Sequence, residues 1–201
     1  FPTQEELFKR FYAEVNGGAG YSEAEKKVVD QPYYSSQNTY PPRYYQRNAV
    51  NRTVEAIARG QQRLLLVMAT GTGKTYASAF AMREEKQNRV LFLVHREQVA
   101  RQAMGSYRNV FGETKTFGLL SGTSKDFDTD YLFPTIQMMA KPEIMQRFDP
   151  EEFDTIIIDE VHRAGADSYQ RIMQYFRPRF WLGMTASPDR TDGFDIYGLF
   201  D

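Results

Sequence analysis

The string Met68-Ala69-Thr70-Gly71-Thr72-Gly73-Lys74-Thr75 puts two glycines, a cation and a hydroxyl in one short stretch. Gly71 and Gly73 free the backbone to wrap, so that successive N–H groups face one anion at the positive end of a following helix. Lys74 can then reach the β and γ phosphates of a nucleotide, and the Thr75 hydroxyl can bind Mg2+. Met68 stands where the general form of this loop has glycine, and a glycine-rich strand-to-helix turn is the structural alternative. A second string, Ile156-Ile157-Ile158-Asp159-Glu160-Val161-His162, ends an apolar run in two adjacent carboxylates. Burying unpartnered charge is costly, and ligands of open α/β sheets lie beyond the carboxyl ends of the strands. One such acid can hold Mg2+ on a nucleotide while the other orients or deprotonates an attacking water.

Elements must bring these strings together. Leu64 to Met68 reads as a strand, a helix follows Gly73, and Val90 to Val94 is a second apolar run. Helices are expected over about Arg43 to Arg59 and Glu97 to Tyr107. Further strands are expected at Lys115 to Leu120, Tyr131 to Thr135, Thr155 to Asp159 and Phe180 to Thr185. Strands apolar on both faces and separated by helices indicate a parallel sheet covered on both sides, a doubly wound α/β fold. Thr3-Gln4-Glu5-Glu6 and Ser22-Glu23-Ala24-Glu25 each match a helix capping box, so residues 1–39 form a short helical segment and a connector ahead of the main domain at 40–201. The stretch from Asp30 to Pro42, rich in Tyr, Gln, Ser, Asn and Pro, is the irregular connector.

With 201 residues and a net charge of −1, the chain has enough length for one sizeable core and no bulk attraction to nucleic acid or anionic lipid. It has no cysteine, which excludes a disulfide framework or a zinc ribbon. Its apolar runs are far too short for a membrane helix and its N-terminus lacks a secretory layout, so a cytoplasmic protein is expected. The start at Phe1 without Met and the end at Asp201 read as a portion of a longer polypeptide.

The two strings and Leu182-Gly183-Met184-Thr185-Ala186-Ser187-Pro188 resemble, in order, motifs I, II and III of superfamily 2 DEAD/DEAH-box-like helicases. Within that superfamily the chain resembles the restriction-type branch, through its Met-Ala-Thr-Gly-Thr-Gly-Lys-Thr form and through Ala186-Ser187-Pro188-Asp189-Arg190-Thr191-Asp192-Gly193. The resemblance covers about Tyr40 to Asp201 and implies a first RecA-like ATP-binding domain.

It also implies roles. Arg43-Tyr44-Tyr45-Gln46 resembles an adenine-recognition element, in which the Gln46 amide pairs with the base and Arg43 supports it; the alternative is a solvent-facing helix residue. Thr70 to Thr75 would hold the triphosphate, Thr75 and Asp159 the Mg2+, and Glu160 would be the catalytic base beside Lys74. His162, Thr185 and Ser187 would couple the nucleotide site to nucleic-acid binding, with Ser187 in the place of a more common Thr. Val94-His95-Arg96 and Thr135-Ile136-Gln137 resemble motifs Ia and Ib, so His95, Arg96, Thr135 and Gln137 would contact a nucleic-acid backbone. DNA is the expected track ahead of RNA. A second RecA-like domain of the same polypeptide would supply the arginine finger, whose absence costs about 10³ to 10⁵ in rate. The competing readings are a P-loop ATPase outside the helicases and a nucleic-acid-binding module without turnover. Tyr44, Tyr45, Phe111, Phe117, Phe127 and Phe133 are expected to pack in the core, or in the case of the tyrosines to flank the base, rather than to form a base-stacking surface.

Overall fold

The computed structural model describes residues 3–15, 22–29, 42–187 and 196–200. The Gly-rich stretch at 16–20, the connector from Asp30 to Pro41 and the string from Pro188 to Gly193 lie outside the described residues. Both expected N-terminal helices form, α1 over Gln4–Val15 and α2 over Glu23–Val29. Each is closed by its capping box: Glu6 Oε2 accepts the Thr3 N–H at 2.8 Å, and Glu25 Oε2 accepts the Ser22 N–H at 2.6 Å.

The main body alternates helix and strand: α3 Tyr44–Ala58, β1 Arg63–Val67, α4 Lys74–Glu84, β2 Val90–Leu93, α5 Glu97–Phe111 and β3 Phe117–Leu120. There follow β4 Tyr131–Pro134, α6 Ile136–Met139, α7 Pro142–Met145, β5 Thr155–Asp159, α8 Asp167–Tyr175, β6 Phe180–Thr185 and α9 Tyr197–Phe200. The six strands form one sheet in the order β1-β6-β5-β2-β4-β3, with every pair parallel. This is the expected sheet covered by helices on both faces.

Side-chain alternation along the strands divides the core in two. Val90, Phe92, Val94, Leu119, Tyr131, Phe133, Ile157 and Leu182 pack under α3, α4 and α5. Leu91, Leu93, Leu120, Leu132, Ile156, Ile158 and Trp181 pack under α6 to α9. The chain moves outward from β1 to β3 on the first face and returns from β4 to β6 on the second. That reversal of face with direction is what right-handed crossovers require. Phe133 and Phe111 are buried and Phe117 and Phe127 pack against the two cores, as the sequence led us to expect.

Some boundaries differ from the sequence reading. Strand β1 ends at Val67, one residue early, although the Met68 N–H still reaches the Thr185 carbonyl at 3.0 Å. Helix α5 runs to Phe111 rather than Tyr107, because Val110 and Phe111 continue its buried face until Gly112, at φ +59, ends it. Lys115 and Thr116 precede β3 rather than belonging to it, since the Asp130 carboxylate takes the Thr116 N–H at 2.7 Å. Helices α6, α7, α8 and α9 have no counterpart in the sequence reading.

Gly183 in β6 is required by contact rather than by backbone angle. A Cβ there would lie 2.7 Å from the Phe200 ring, so the glycine lets α9 seat directly on the sheet. Helix α2 packs on α3 through the buried Glu25, which meets Arg59 at 3.1 Å, while Lys27 meets Glu85 at the end of α4 at 3.3 Å. Among the described residues, no helix is long and apolar enough to cross a membrane.

Candidate functional site

Because all strands run parallel, every loop that leaves a strand end emerges on one edge of the sheet. Strand β6, last in sequence, lies between β1 and β5, with Thr185 beside Val67 and Met184 beside Asp159. The phosphate-loop string, the paired acids and the Thr185-Ala186-Ser187 string therefore leave three adjacent strands.

The loop between β1 and α4 is built on left-handed backbone at Gly71, φ +74, and Gly73, φ +83. It closes on itself through Thr72, whose Oγ donates to the Ala69 carbonyl at 2.6 Å. Lys74 Nζ donates to the Met68 carbonyl at 3.1 Å, which folds the ammonium over the loop. The first turn of α4 has no side-chain cap and no acid, so its N–H groups and its positive end are left for an anion.

Gln46, on the first turn of α3, is half-buried, with both ends of its amide engaged. Oε1 accepts the Arg43 N–H at 2.9 Å, and Nε2 donates to the Thr72 carbonyl at 2.9 Å. The side chain thus spans from the start of α3 to the phosphate-type loop, and is not a solvent-facing residue. One Nε2 proton and one lone pair on Oε1 remain for a ligand. Arg43 donates from Nη1 to the Tyr45 hydroxyl at 2.7 Å. The expectation that Tyr44 packs on the sheet fails: it is 75% exposed at the first position of α3 and touches the Tyr45 ring edge-on.

Asp159 ends β5 and is largely buried. Burial first, then the neighbouring Glu160 carboxylate, push its pKa up to about 6, against the Glu160 N–H at 3.1 Å and Lys74, which lower it. Glu160 follows in left-handed backbone, φ +52, a conformation that costs a non-glycine residue about 1 kcal/mol or more. The turn separates the two carboxylates, one tucked at the strand end and the other in a side chain 38% exposed. A 3-10 turn, Val161–Arg163, comes next. His162 Nδ1 lies 3.1 Å from Glu160 Oε2 and 3.0 Å from Thr185 Oγ, so a proton on Nδ1 serves both. The fully buried Thr185 hydroxyl in turn accepts the Ser187 N–H at 3.2 Å and lies 3.0 Å from the Ser187 carbonyl. Glu160, His162, Thr185 and Ser187 are one connected chain.

His95, Arg96, Thr135 and Gln137 leave the adjacent strands β2 and β4. A bridge between Val94 and Thr135 and an Ile136 N–H to Val94 carbonyl bond of 2.8 Å bring them side by side. Gln137 Nε2 stands 3.4 Å from His95 Nδ1. Burial, then Arg163 and Arg96, hold the His95 pKa below its ordinary value.

Two features escaped the sequence reading. Arg163 lines the same cleft as His95 and Gln137, although they are far apart in the chain. Its only sequence signal is its place right after the acidic string. Glu97 binds both Arg101, at 2.7 Å, and the Thr123 hydroxyl, at 2.6 Å, tying the loop after β3 to the start of α5.

Comparison with known proteins adds to this geometry. A family described as the res subunit of type III restriction enzymes matches residues 39–190. The endonuclease subunit of the type I restriction enzyme EcoAI from Escherichia coli is 36% identical over 203 residues, covering 95% of this chain and 24% of that protein. A fragment of an HsdR subunit assigned to a type I restriction enzyme of Vibrio vulnificus YJ016 superimposes with TM-score 0.67 at 31% identity, covering 100% of this chain and 35% of that one. The SWI2/SNF2 ATPase core of Sulfolobus solfataricus, solved with duplex DNA, shares the fold with TM-score 0.67 at 14% identity, over 85% of this chain and 37% of that one. The chain spans about a quarter of the length of the EcoAI subunit.

Proposed function

The chain belongs to the family of the type III restriction enzyme res subunit, and on that premise we propose that it is the first RecA-like, ATP-hydrolysing domain of a nucleic-acid-dependent helicase or translocase. The adjacency of β1, β6 and β5 carries this reading, because it gathers phosphate loop, acids and coupling hydroxyls on one edge. Residues 40–201 would be the motor domain, with helices α1 and α2 and a connector before it.

ATP would lie over the loop with its adenine on the free side of the Gln46 amide. Its β and γ phosphates would meet the N–H groups of 70–75 and draw Lys74 off the Met68 carbonyl. The site suits Mg2+. Asp159 is a buried carboxylate to which no side chain donates among the described residues, and Thr75 offers a hydroxyl from the first turn of α4. Bound there, Mg2+ would neutralise charge developing on the transferred phosphoryl group. Glu160 would take the proton of the attacking water. His162, bonded to Glu160 and Thr185, would hold that carboxylate in place and transmit shifts of β6. A second RecA-like domain in the longer polypeptide would add the arginine finger. His95, Arg96, Thr135 and Gln137 form a backbone-binding track on the same edge. DNA is the track we favour, because the EcoAI relative is an endonuclease subunit of a restriction enzyme.

ATP turnover by the full-length protein should rise severalfold or more on adding duplex DNA, with RNA as the comparison. Turnover indifferent to every nucleic acid would return the chain to P-loop ATPases of another kind, and absence of turnover with intact nucleotide binding would make it a binding module.

Gln46 provides a sharper test of the nucleotide. Guanine presents a carbonyl where adenine presents an amino group, and an unpaired partly desolvated group costs about 1 to 3 kcal/mol, or roughly 5- to 150-fold in affinity. Gln46→Ala should therefore weaken a fluorescent ATP analogue more than its guanosine counterpart. If the side chain serves only as the strut to Thr72, both affinities fall together and the selectivity stays as it was.

A further inference from the structure

Beyond the nucleotide site, the carboxyl edge holds a separate cavity of about 330 Å³, walled by the ends of β2 and β4 and by the start of α8. Its polar lining is His95, Gln137, Arg163, Ser168 and Tyr169, with no carboxylate and no residue of the phosphate loop. The nearby Arg101 is held by Glu97 at 2.7 Å. Arg163, by contrast, makes no ion pair among the described residues. An arginine lining a cleft that has no carboxylate favours an anion there, and Gln137 and His95 add hydrogen-bonding groups to the same lining.

The backbone of Arg163 is also bound on both sides. Its N–H donates to the Glu160 carbonyl at 3.0 Å, and its carbonyl accepts the Ala166 N–H at 3.1 Å. One 3-10 turn thus has Glu160 at its start and Arg163 at its end.

We propose that this cavity seats a backbone phosphate of the nucleic-acid track, with Arg163 as its charged contact, and that the turn Val161–Arg163 passes occupancy of the seat to Glu160. The proposal rests on the motor reading above and adds to the track the residue that directly follows the acidic string. Phosphate binding would fix Arg163, and the short turn leaves little freedom for Glu160 to move independently. Arg163 is here a positioning residue for catalysis and a contact residue for nucleic acid.

The test uses the full-length protein, a fluorescent DNA duplex and a non-hydrolysable ATP analogue. Losing one phosphate contact lowers the slope of log affinity against log salt by about 0.9 for duplex DNA. Arg163→Ala should show that loss, with affinity reduced about fivefold, as for a partly exposed charge pair. Its DNA-stimulated kcat should drop even at saturating DNA, because the turn no longer registers the phosphate. Arg163→Lys should restore the salt slope. An unchanged slope in Arg163→Ala overturns the seat. A changed affinity for the ATP analogue with an unchanged slope assigns Arg163 to the nucleotide phosphates instead, and likewise overturns it. A parallel fall of slope, kcat and melting temperature that Lys does not reverse marks a purely structural residue. If the parent protein shows no stimulation by nucleic acid at all, the motor reading itself fails, which these binding slopes distinguish from failure of the seat alone.

Discussion

Glu160→Gln is expected to lower ATP turnover of the full-length protein by about 10² to 10⁴, the usual contribution of a positioned general base, while Mg-ATP still binds. The amide keeps the shape of the side chain and its contact with His162 but cannot take a proton from water. The effect belongs to Glu160 because of where the backbone turns. At φ +52 the chain leaves β5, so Glu160 projects from the edge while Asp159 remains at the strand end. Asp159→Asn should act at the other step, weakening Mg2+-dependent nucleotide binding because a hard cation loses a charged oxygen ligand. Nucleotide affinity with and without Mg2+, measured beside single-turnover cleavage, separates the two. Equal loss of binding in both variants would end the proposed division of labour.

The pair of acids at the end of β5 was legible in the sequence, since an apolar run ending in two acids is a local pattern. So was the phosphate-type loop, whose glycines, lysine and threonine are contiguous. What adjacent letters could not say is which strands would be neighbours. Strand β6 comes last among the strands yet inserts between β1 and β5, and only this insertion lets Thr185 meet His162. The same holds for Arg163, whose cleft is shared with residues from two other strand ends. Helices α6 and α7, at four residues each, are too short to show a helical period, which is why they went unseen. For Tyr44, aromatic type favours packing on the sheet as much as flanking the base, and its position on the first turn of α3 rules out the first by leaving it exposed. Gln46 shows the reverse case: its type suggested an adenine contact, while its bond to the Thr72 carbonyl is a tertiary fact that no spacing encodes.

That bond makes the two loop glycines unequal, and Gly73→Ala should be much the more damaging replacement. Both residues lie in left-handed backbone, φ +74 at Gly71 and φ +83 at Gly73, so alanine costs each about 1 to 3 kcal/mol of strain. At Gly71 nothing stands within 4 Å of an added Cβ, and the strain is the whole effect. At Gly73 the added Cβ would collide with Gln46 Nε2. The amide cannot simply swing aside, because Arg43 holds its oxygen and Thr72 its nitrogen. Moving it gives up two hydrogen bonds worth about 0.5 to 1.5 kcal/mol each. Gly73→Ala should therefore lower stability by about 1 to 3 kcal/mol more than Gly71→Ala, and should weaken ATP binding further because loop and amide shift together. The decisive measurement is the double variant: adding Gln46→Ala to Gly73→Ala removes the clash, so denaturant midpoints should show the pair losing less than the sum of its parts. Strict additivity would mean that Gln46 and Gly73 do not touch, and that the strut from α3 to the loop does not exist.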